Sequence, residues 1–230
     1  MEIGFLRHEK ILPKFSSLLL KNGLSTVYFP LVSYEAIDFT ISSTSLTQYT
    51  GVILCSKRAV DIFLSKLKQE DYLSLTVHCV GERAKARLQS YGIVDLICYS
   101  NFLQMAQSFS QDDKLLYPAS NEYSKDELEI AQNNCCGIDV LICYEVHYEK
   151  MDVGFQDWLK TKDNKALAVL APSQAKALES YDCKSLDAFC MGQRTQKALQ
   201  NLNIDCIHLS KEPNMLSLID SIQEYFSERC

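Results

Sequence analysis

The chain has 230 residues, and its 23 basic and 29 acidic side chains give a formal net charge of −6. Hydrophobic residues at 47% and charged residues at 23% are typical of a globular protein and exclude a disordered chain. An acidic chain lacks the basic face that binding along a phosphate backbone requires, so no nucleic-acid partner is expected.

Strand-like and helix-like segments alternate along the chain. The predicted strands cover residues 3–6, 25–30, 51–55, 75–80, 95–99, 114–117, 139–144, 166–170, 187–191 and 206–209, and the strand at 139–144 runs on into His147 and Tyr148. The predicted helices cover residues 9–22, 58–68, 82–91, 102–109, 125–133, 173–180, 195–201 and 214–226, with a short helix around Trp158 and an extended crossover at 34–39. This alternation is typical of βαβ units in parallel sheets covered on both faces. Nine or ten strands are too many for one compact sheet in so short a chain, so we expect two doubly wound sheets.

Two segments of the second half repeat segments of the first half in the same order. Residues 191–204 resemble residues 80–93 at an offset of 111, with Gly, Arg, Leu, Gln and Ile in common. Upstream, residues 167–178 parallel residues 52–63 at an offset of 115. Each segment reads as a strand, a tight turn and a helix, so the pattern indicates a duplicated α/β unit.

Neither a membrane span nor a secretion signal is visible in the sequence. The longest apolar runs are far shorter than the roughly 20 residues that cross a bilayer, and charged residues interrupt the N-terminal segment. We therefore expect a cytoplasmic protein without a membrane partner. The ten cysteines form no CxxC pair and no zinc-type cluster with histidine, which predicts reduced core residues and no metal site.

The turns after the predicted strands carry residue types that bind anions. Ligands of open parallel sheets lie beyond the carboxyl ends of the strands, where helix N-termini offer unpaired N–H groups. The residues at these junctions that could hold carboxylates are Arg7, Ser56, Lys57, Arg58, Gly81, Arg83, Pro172, Ser173, Gly192, Arg194 and Thr195. Ordinary helix capping and turn chemistry explains any single junction as well, so both interpretations stand.

Other chemistry has less support in the sequence. The dinucleotide pattern G-x-G-x-x-G, the P-loop and the G-x-S-x-G elbow are all absent, so no nucleotide cofactor is predicted. Tyr144 ends the apolar run 140–144 and is a candidate proton donor to a bound ligand. A tyrosine that packs at an interface with its hydroxyl in water is the alternative.

Taken in order, several motifs resemble the uroporphyrinogen-III synthase family over essentially the whole chain. Residues 54–60 are similar to its F-T-S-x-x-A-V motif, and residues 80–92 to its V-G-x-x-T-A-x-x-L-x-x-x-G motif. Residues 140–147 match its central V-Y-x-T strand, residues 171–175 its S-P-S-x-V motif and residues 191–199 its I-G-x-x-T-x-x-x-L motif.

Individual positions follow or depart from these family motifs. Arg7 matches the arginine that ends the family's first strand, and Tyr144 takes the place of the family's tyrosine. Cys55, Ala84 and Ala171 replace residues that carry a hydroxyl in the family, so hydroxyls at those three positions are dispensable if the function holds.

The resemblance implies an α/β fold of two doubly wound parallel-sheet lobes, joined by a two-stranded linker, with the active cleft between them. Residues 1–33 and 152–230 would form one discontinuous lobe and residues 38–144 the other. The linker strands would be residues 34–37 and 145–151.

The activity implied by the resemblance is a lyase reaction of heme biosynthesis. Hydroxymethylbilane, a linear tetrapyrrole, would be cyclised to uroporphyrinogen III with inversion of ring D and loss of water, without metal or cofactor. Tyr144 would assist departure of the hydroxyl, and the junction residues would bind substrate carboxylates. The implied protein is a monomer that could contact the preceding deaminase transiently.

Two other classes remain as alternatives. One is a non-catalytic two-lobed module that binds an anionic small molecule with the same cleft. The other is a pair of flavodoxin-like or response-regulator-like domains, which is disfavoured because Arg7 and His8, and not acidic residues, follow the first strand.

Overall fold

Strands and helices alternate throughout the computed structural model, which describes residues 1–8, 10–68, 70–71, 75–161 and 164–227. The strands are β1 (Glu2–Phe5), β2 (Ser25–Tyr28), β3 (Val32–Ala36), β4 (Gly51–Ile53), β5 (Thr76–Val80), β6 (Leu96–Tyr99), β7 (Lys114–Ser120), β8 (Gly137–Tyr148), β9 (Lys165–Val169), β10 (Asp187–Cys190) and β11 (Cys206–Leu209). The helices are α1 (Pro13–Lys21), α2 (Ser43–Leu46), α3 (Lys57–Ser65), α4 (Glu82–Gln89), α5 (Phe102–Gln107), α6 (Lys125–Gln132), α7 (Val153–Lys160), α8 (Pro172–Ala177), α9 (Gln193–Gln200) and α10 (Met215–Ser227), with a 3₁₀ turn at Leu178–Ser180.

The first of two structural units comprises Met1–Ser33 and His147–Cys230. Its five strands lie in the order β11-β10-β9-β1-β2, and every pair is parallel. The N-terminal strand β1 therefore lies inside the sheet, with β2 on one side and β9 on the other. Buried apolar side chains, among them Ile3, Phe5 and Phe189, pack against Ile222 of α10.

The second unit is the continuous segment Tyr34–Val146. Its sheet has the order β3-β8-β7-β4-β5-β6, in which β8 to β6 are parallel. Strand β3 runs antiparallel to β8, because the Ile37 N–H donates to the Cys143 carbonyl while the Glu149 N–H donates to the Leu31 carbonyl.

Helices cover both faces of this second sheet. Successive residues of a strand point to opposite faces, and the neighbours Val52 and Ile53 accordingly belong to two different core clusters. Val52 packs with Phe63 of α3, and Ile53 packs with Phe102 of α5. The predicted doubly wound parallel arrangement is confirmed for the α/β fold class.

The sequence repeat corresponds to a structural repeat. Helices α4 and α9 have the same length and begin and end at the offset of 111. The strand orders of the two sheets also match, since β6-β5-β4-β7-β8 corresponds to β11-β10-β9-β1-β2. In the first unit, however, the pair equivalent to β7 and β8 comes from the N-terminus of the chain.

Several predicted boundaries differ from the structure. Eleven strands lie in the described residues, against the nine or ten predicted, because the segment predicted as a crossover contains β3. The helix predicted at 9–22 begins at Pro13, whose fixed φ favours the first position of a helix; Glu9 lies outside the described residues. The helix predicted from Thr195 begins two residues earlier, and the one predicted at 173–180 ends as a 3₁₀ turn.

Candidate functional site

One cluster of predicted site residues lies at the carboxyl end of β4 in the second unit. Ser56 follows this strand in an extended conformation, and its Oγ accepts a hydrogen bond of 3.0 Å from the Ala59 N–H, which caps α3. The same Oγ lies 3.3 Å from the Tyr144 hydroxyl. The cap that starts α3 thus also contacts β8, the strand that carries Tyr144.

Tyr144 was predicted to end an apolar strand that runs on into His147 and Tyr148. In the structure Tyr144 lies within β8, which continues to Tyr148. Its position is still the edge of the parallel sheet, since β7 ends at Ser120, the partner of Tyr144 in the pairing. The Asn121 N–H donates to the Tyr144 carbonyl over 3.2 Å, and the Asn121 side chain accepts from the Val146 N–H over 3.0 Å. Asn121 therefore holds the backbone on both sides of Glu145.

Arg58 and two aromatic rings complete this cluster. The guanidinium carbon of Arg58 lies 3.4 Å from the centroid of the Tyr34 ring and 5.8 Å from that of Tyr144. The two ring centroids are 6.3 Å apart, at an interplanar angle of 58°. Tyr144 is only 8% exposed, whereas Arg58 and its neighbour Lys57 are exposed. Tyr34 was not among the predicted site residues. The only feature of the sequence that could have indicated it is its position in the extended segment after β2.

The next junction in the second unit follows β5. Gly81 precedes α4 with φ of +80°, and its N–H donates to the Tyr99 carbonyl over 3.0 Å. Arg83 is exposed on the first turn of α4, while Ala84 is buried. Because β4 and β5 are adjacent parallel strands, this junction and that of Ser56 share one edge of the sheet.

In the first unit, three junctions follow the neighbouring strands β1, β9 and β10, so they share one edge of that sheet. Arg7 is half-buried after β1. Pro172 is the first residue of α8 and the half-buried Ser173 is the second. Gln174, which sequence analysis missed, accepts a 2.7 Å hydrogen bond from the Leu170 N–H and closes the turn before α8.

The third of these junctions precedes α9. Gly192 is extended, with φ of −151°, and Arg194 is exposed on the first turn. Thr195 was predicted to open the helix, but it lies inside the first turn and is only 4% exposed. It occupies the position equivalent to Ala84, which is 2% exposed, so both positions face the core.

Burial keeps two cysteines near these junctions protonated, Cys143 beside Tyr144 and Cys190 before Gly192. Burial raises the pKa of the Cys143 thiol to about 11 and that of Cys190 to about 11. The Cys143 thiol, next to Tyr144 in sequence, donates to the Ala119 carbonyl over 3.3 Å. A protonated thiol is a poor nucleophile, so these side chains act as small core residues.

Metal and membrane features are also limited in the residues that the structure describes. Within them, no group of three or more His, Cys, Asp or Glu side chains could hold a metal ion. None of the described helices combines the length and the apolar character needed to cross a membrane.

A comparison with protein-family models decides the relationship of this chain. The model described as "Uroporphyrinogen-III synthase HemD" matches residues 13–220. The chain belongs to the uroporphyrinogen-III synthase family. The family resemblance inferred from the sequence is thereby confirmed, as is the activity inferred with it: a lyase reaction that cyclises hydroxymethylbilane to uroporphyrinogen III in tetrapyrrole biosynthesis.

Solved structures of uroporphyrinogen-III synthases share this fold. A mutant enzyme from the extremely thermophilic bacterium Thermus thermophilus superposes with a TM-score of 0.74 at 13% sequence identity, covering 99% of each chain. The enzyme from Helicobacter pylori superposes with a TM-score of 0.65 at 18% identity, covering 97% of this chain and 99% of the other. No curated protein sequence matches this chain. At these identities the structural likeness establishes the fold, and the roles of single residues rest on the geometry of the chain itself.

Proposed function

We propose that Tyr144 and Ser56, beside Arg58, form the reacting part of this uroporphyrinogen-III synthase, and that Arg58 and the remaining junction residues bind substrate carboxylates. The observation that carries the proposal is the 3.3 Å contact between the Tyr144 and Ser56 hydroxyls beside the Arg58 guanidinium. It joins a proton donor, a hydroxyl that can orient it and a cation at one edge of the parallel sheet.

The first chemical step is loss of the hydroxyl group from hydroxymethylbilane. In the proposed arrangement the Ser56 hydroxyl donates to the Tyr144 oxygen, which leaves the Tyr144 proton for the departing hydroxyl. The C–O bond breaks, water leaves and an azafulvene cation remains. A tyrosine is a weak acid, but the substrate already ionises readily, so modest assistance is sufficient.

The second task is control of ring closure. The azafulvene cation closes without protein to the isomer I ring, so the protein must favour the spiro route that inverts ring D. This is a matter of holding a flexible chain in one geometry, which is an entropic contribution. The eight carboxylates of the substrate provide the anchors for it.

These carboxylates explain why an acidic chain places cations at strand ends. In the second unit Lys57, Arg58 and Arg83 supply side-chain charge, and in the first unit Arg7 and Arg194 do so. The glycine and serine junctions add backbone N–H groups at helix N-termini. Each unit would thus offer carboxylate ligands at the carboxyl edge of its own sheet.

The decisive experiment is an isomer assay. Purified protein is given hydroxymethylbilane generated in situ, and the oxidised porphyrins are separated. Isomer III above the spontaneous isomer I background is expected. Isomer I alone, together with tight binding of uroporphyrinogen III, would instead identify a non-catalytic two-lobed binding module.

The assembly and location of the protein complete the proposal. We expect a cytoplasmic monomer that takes its unstable substrate from the preceding deaminase by transient contact. A sedimentation experiment with and without the deaminase tests the monomer, and isomer ratios in the coupled reaction test the contact. A transient contact lowers the isomer I fraction without producing a stable complex.

A further inference from the structure

Tyr34 supports the guanidinium of Arg58 in the second unit. The guanidinium carbon lies 3.4 Å from the ring centroid. At this spacing the guanidinium is in van der Waals contact with the ring, which requires its plane to lie along the ring face. The N–H groups at its edge then point away from the ring.

We propose that Tyr34 is a positioning residue for the substrate, holding Arg58 so that its N–H edge meets one substrate carboxylate. The inference rests on the proposed function in one respect, namely that Arg58 binds a carboxylate. An exposed arginine loses side-chain freedom when it binds a carboxylate in two-point fashion. Stacking on a ring removes that freedom before the substrate arrives, so less affinity is lost on binding.

The place of Tyr34 in the fold fits this role. Tyr34 lies on β3, which pairs with the strand that carries Tyr144, while Arg58 lies on the first turn of α3. The ring centroids of Tyr34 and Tyr144 are 6.3 Å apart. The Tyr34 ring therefore contacts both Arg58, which binds the carboxylate, and Tyr144, which donates the proton. An effect through Arg58 changes KM, whereas an effect through Tyr144 changes kcat.

The test compares Tyr34→Phe and Tyr34→Leu in the wild type and in the Arg58→Met variant. A partly exposed cation–π contact has the strength to change affinity about two- to fivefold, so Tyr34→Leu should raise KM by that factor with kcat unchanged. Tyr34→Phe keeps the ring face and should therefore have the KM of the wild type. In the Arg58→Met background, Tyr34→Leu should have no further effect on KM.

A matched control comes from Arg87 and Tyr91, where the guanidinium carbon lies 5.0 Å from the ring centroid in the same unit. Tyr91→Leu makes the same chemical change at the C-terminal end of α4 and should leave KM unchanged. Thermal unfolding of each variant shows whether the unit remains folded.

The outcomes separate the inference from the proposed function. If Arg58→Met leaves KM unchanged, the proposed use of Arg58 is wrong. If Arg58→Met raises KM but Tyr34→Leu does not, only the positioning role of Tyr34 is wrong. A loss of kcat at constant KM in Tyr34→Leu would also overturn it, because the ring would then act through Tyr144.

Discussion

The hydroxyl groups of Ser56 and Tyr144 lie 3.3 Å apart, although the two residues are 88 positions apart in the chain. Ser56 thereby has two contacts, because its Oγ also accepts from the Ala59 N–H at the start of α3. The chemistry proposed for Tyr144 depends on a residue that begins a helix, so catalytic and structural effects must be distinguished by experiment.

Replacing Tyr144 by phenylalanine should lower turnover by roughly 10²-fold, the low end for loss of a general acid. The ring still fills its buried position, so the free energy of unfolding should change little. Turnover and isomer ratio are measured together. Cyclisation should persist with a larger share of isomer I, and wild-type turnover with an unchanged ratio would assign Tyr144 to packing.

Replacing Ser56 by alanine should both destabilise the protein and impair catalysis. Loss of the helix cap costs about 1 kcal/mol in the free energy of unfolding, measured by urea titration. Ser124→Ala is the matched control, since the Ser124 Oγ caps α6 with a 3.2 Å hydrogen bond from the Glu127 N–H. It should cost similar stability and leave turnover unchanged. Equal turnover in the two variants would remove Ser56 from the mechanism.

The junction arginines should contribute separately to binding of the reaction product. Changing Arg7, Arg58, Arg83 or Arg194 to alanine should weaken uroporphyrinogen III binding by about 1–3 kcal/mol where the contact is shielded from water. Added salt should reduce the effect at exposed positions, of which Arg194 is one. Calorimetric titration measures the affinity of each variant for uroporphyrinogen III. An unchanged affinity in all four variants would leave the backbone N–H groups as the carboxylate ligands.

Gly81 and Gly192 are equivalent in the repeat but should respond differently to alanine. Gly81 has φ of +80° and ψ of 153°, a region that side chains with a Cβ rarely occupy, whereas Gly192 is extended. Apart from the adjacent residues of the chain, no heavy atom lies within 4 Å of a Cβ added at either position, so only backbone strain differs. Gly81→Ala should cost about 1–3 kcal/mol in unfolding free energy and Gly192→Ala close to none. Equal losses in urea titrations would contradict this account.

His78 should make the protein less stable in mild acid. Burial lowers the pKa of this 7% exposed side chain below its ordinary value of 6.5, although the charge of Asp113 acts in the opposite direction. Below pH 6.5 the unfolded chain therefore binds a proton that the folded protein does not. The free energy of unfolding decreases as the pH is lowered, until the pH reaches the pKa of His78 in the folded protein.

The matched variants for this effect are His78→Phe and His8→Phe. His78→Phe should remove that part of the slope, while the Tyr99 hydroxyl keeps its 2.8 Å contact with Ser108. His8→Phe makes the same chemical change at an exposed histidine and is the control. Urea titrations from about pH 8 to about pH 5 measure the slopes, and a slope that survives in His78→Phe would place the titrating group elsewhere.

Local patterns predicted most of the sheet and helix order. The segment 80–93 and its repeat 191–204 carry a glycine, a helical stripe and a terminal isoleucine, and both fold into a turn and a helix with matching bounds. Ser56 was also predictable, because a serine between an apolar strand and a helical stripe is a common cap.

Features that depend on distant pairing were not predictable from these patterns. The contact of Tyr34 with Arg58 requires β3 to pair with β8, and no local periodicity reports that pairing. The burial of Thr195 follows from the helix starting at Gln193, two residues earlier than predicted. The extension of β8 to Tyr148 was partly visible, since its apolar run continues into His147 and Tyr148.

Because β1 lies inside its sheet, its two strand pairs form at different times during synthesis of the chain. β1 pairs with β2 on one side and with β9 on the other, so its second partner is synthesised only after the entire second unit. The second unit is continuous and can fold early, whereas one edge of β1 remains unpaired until β9 has been synthesised. Premature termination soon after the second unit would therefore leave a folded middle preceded by an N-terminal strand whose exposed edge invites aggregation.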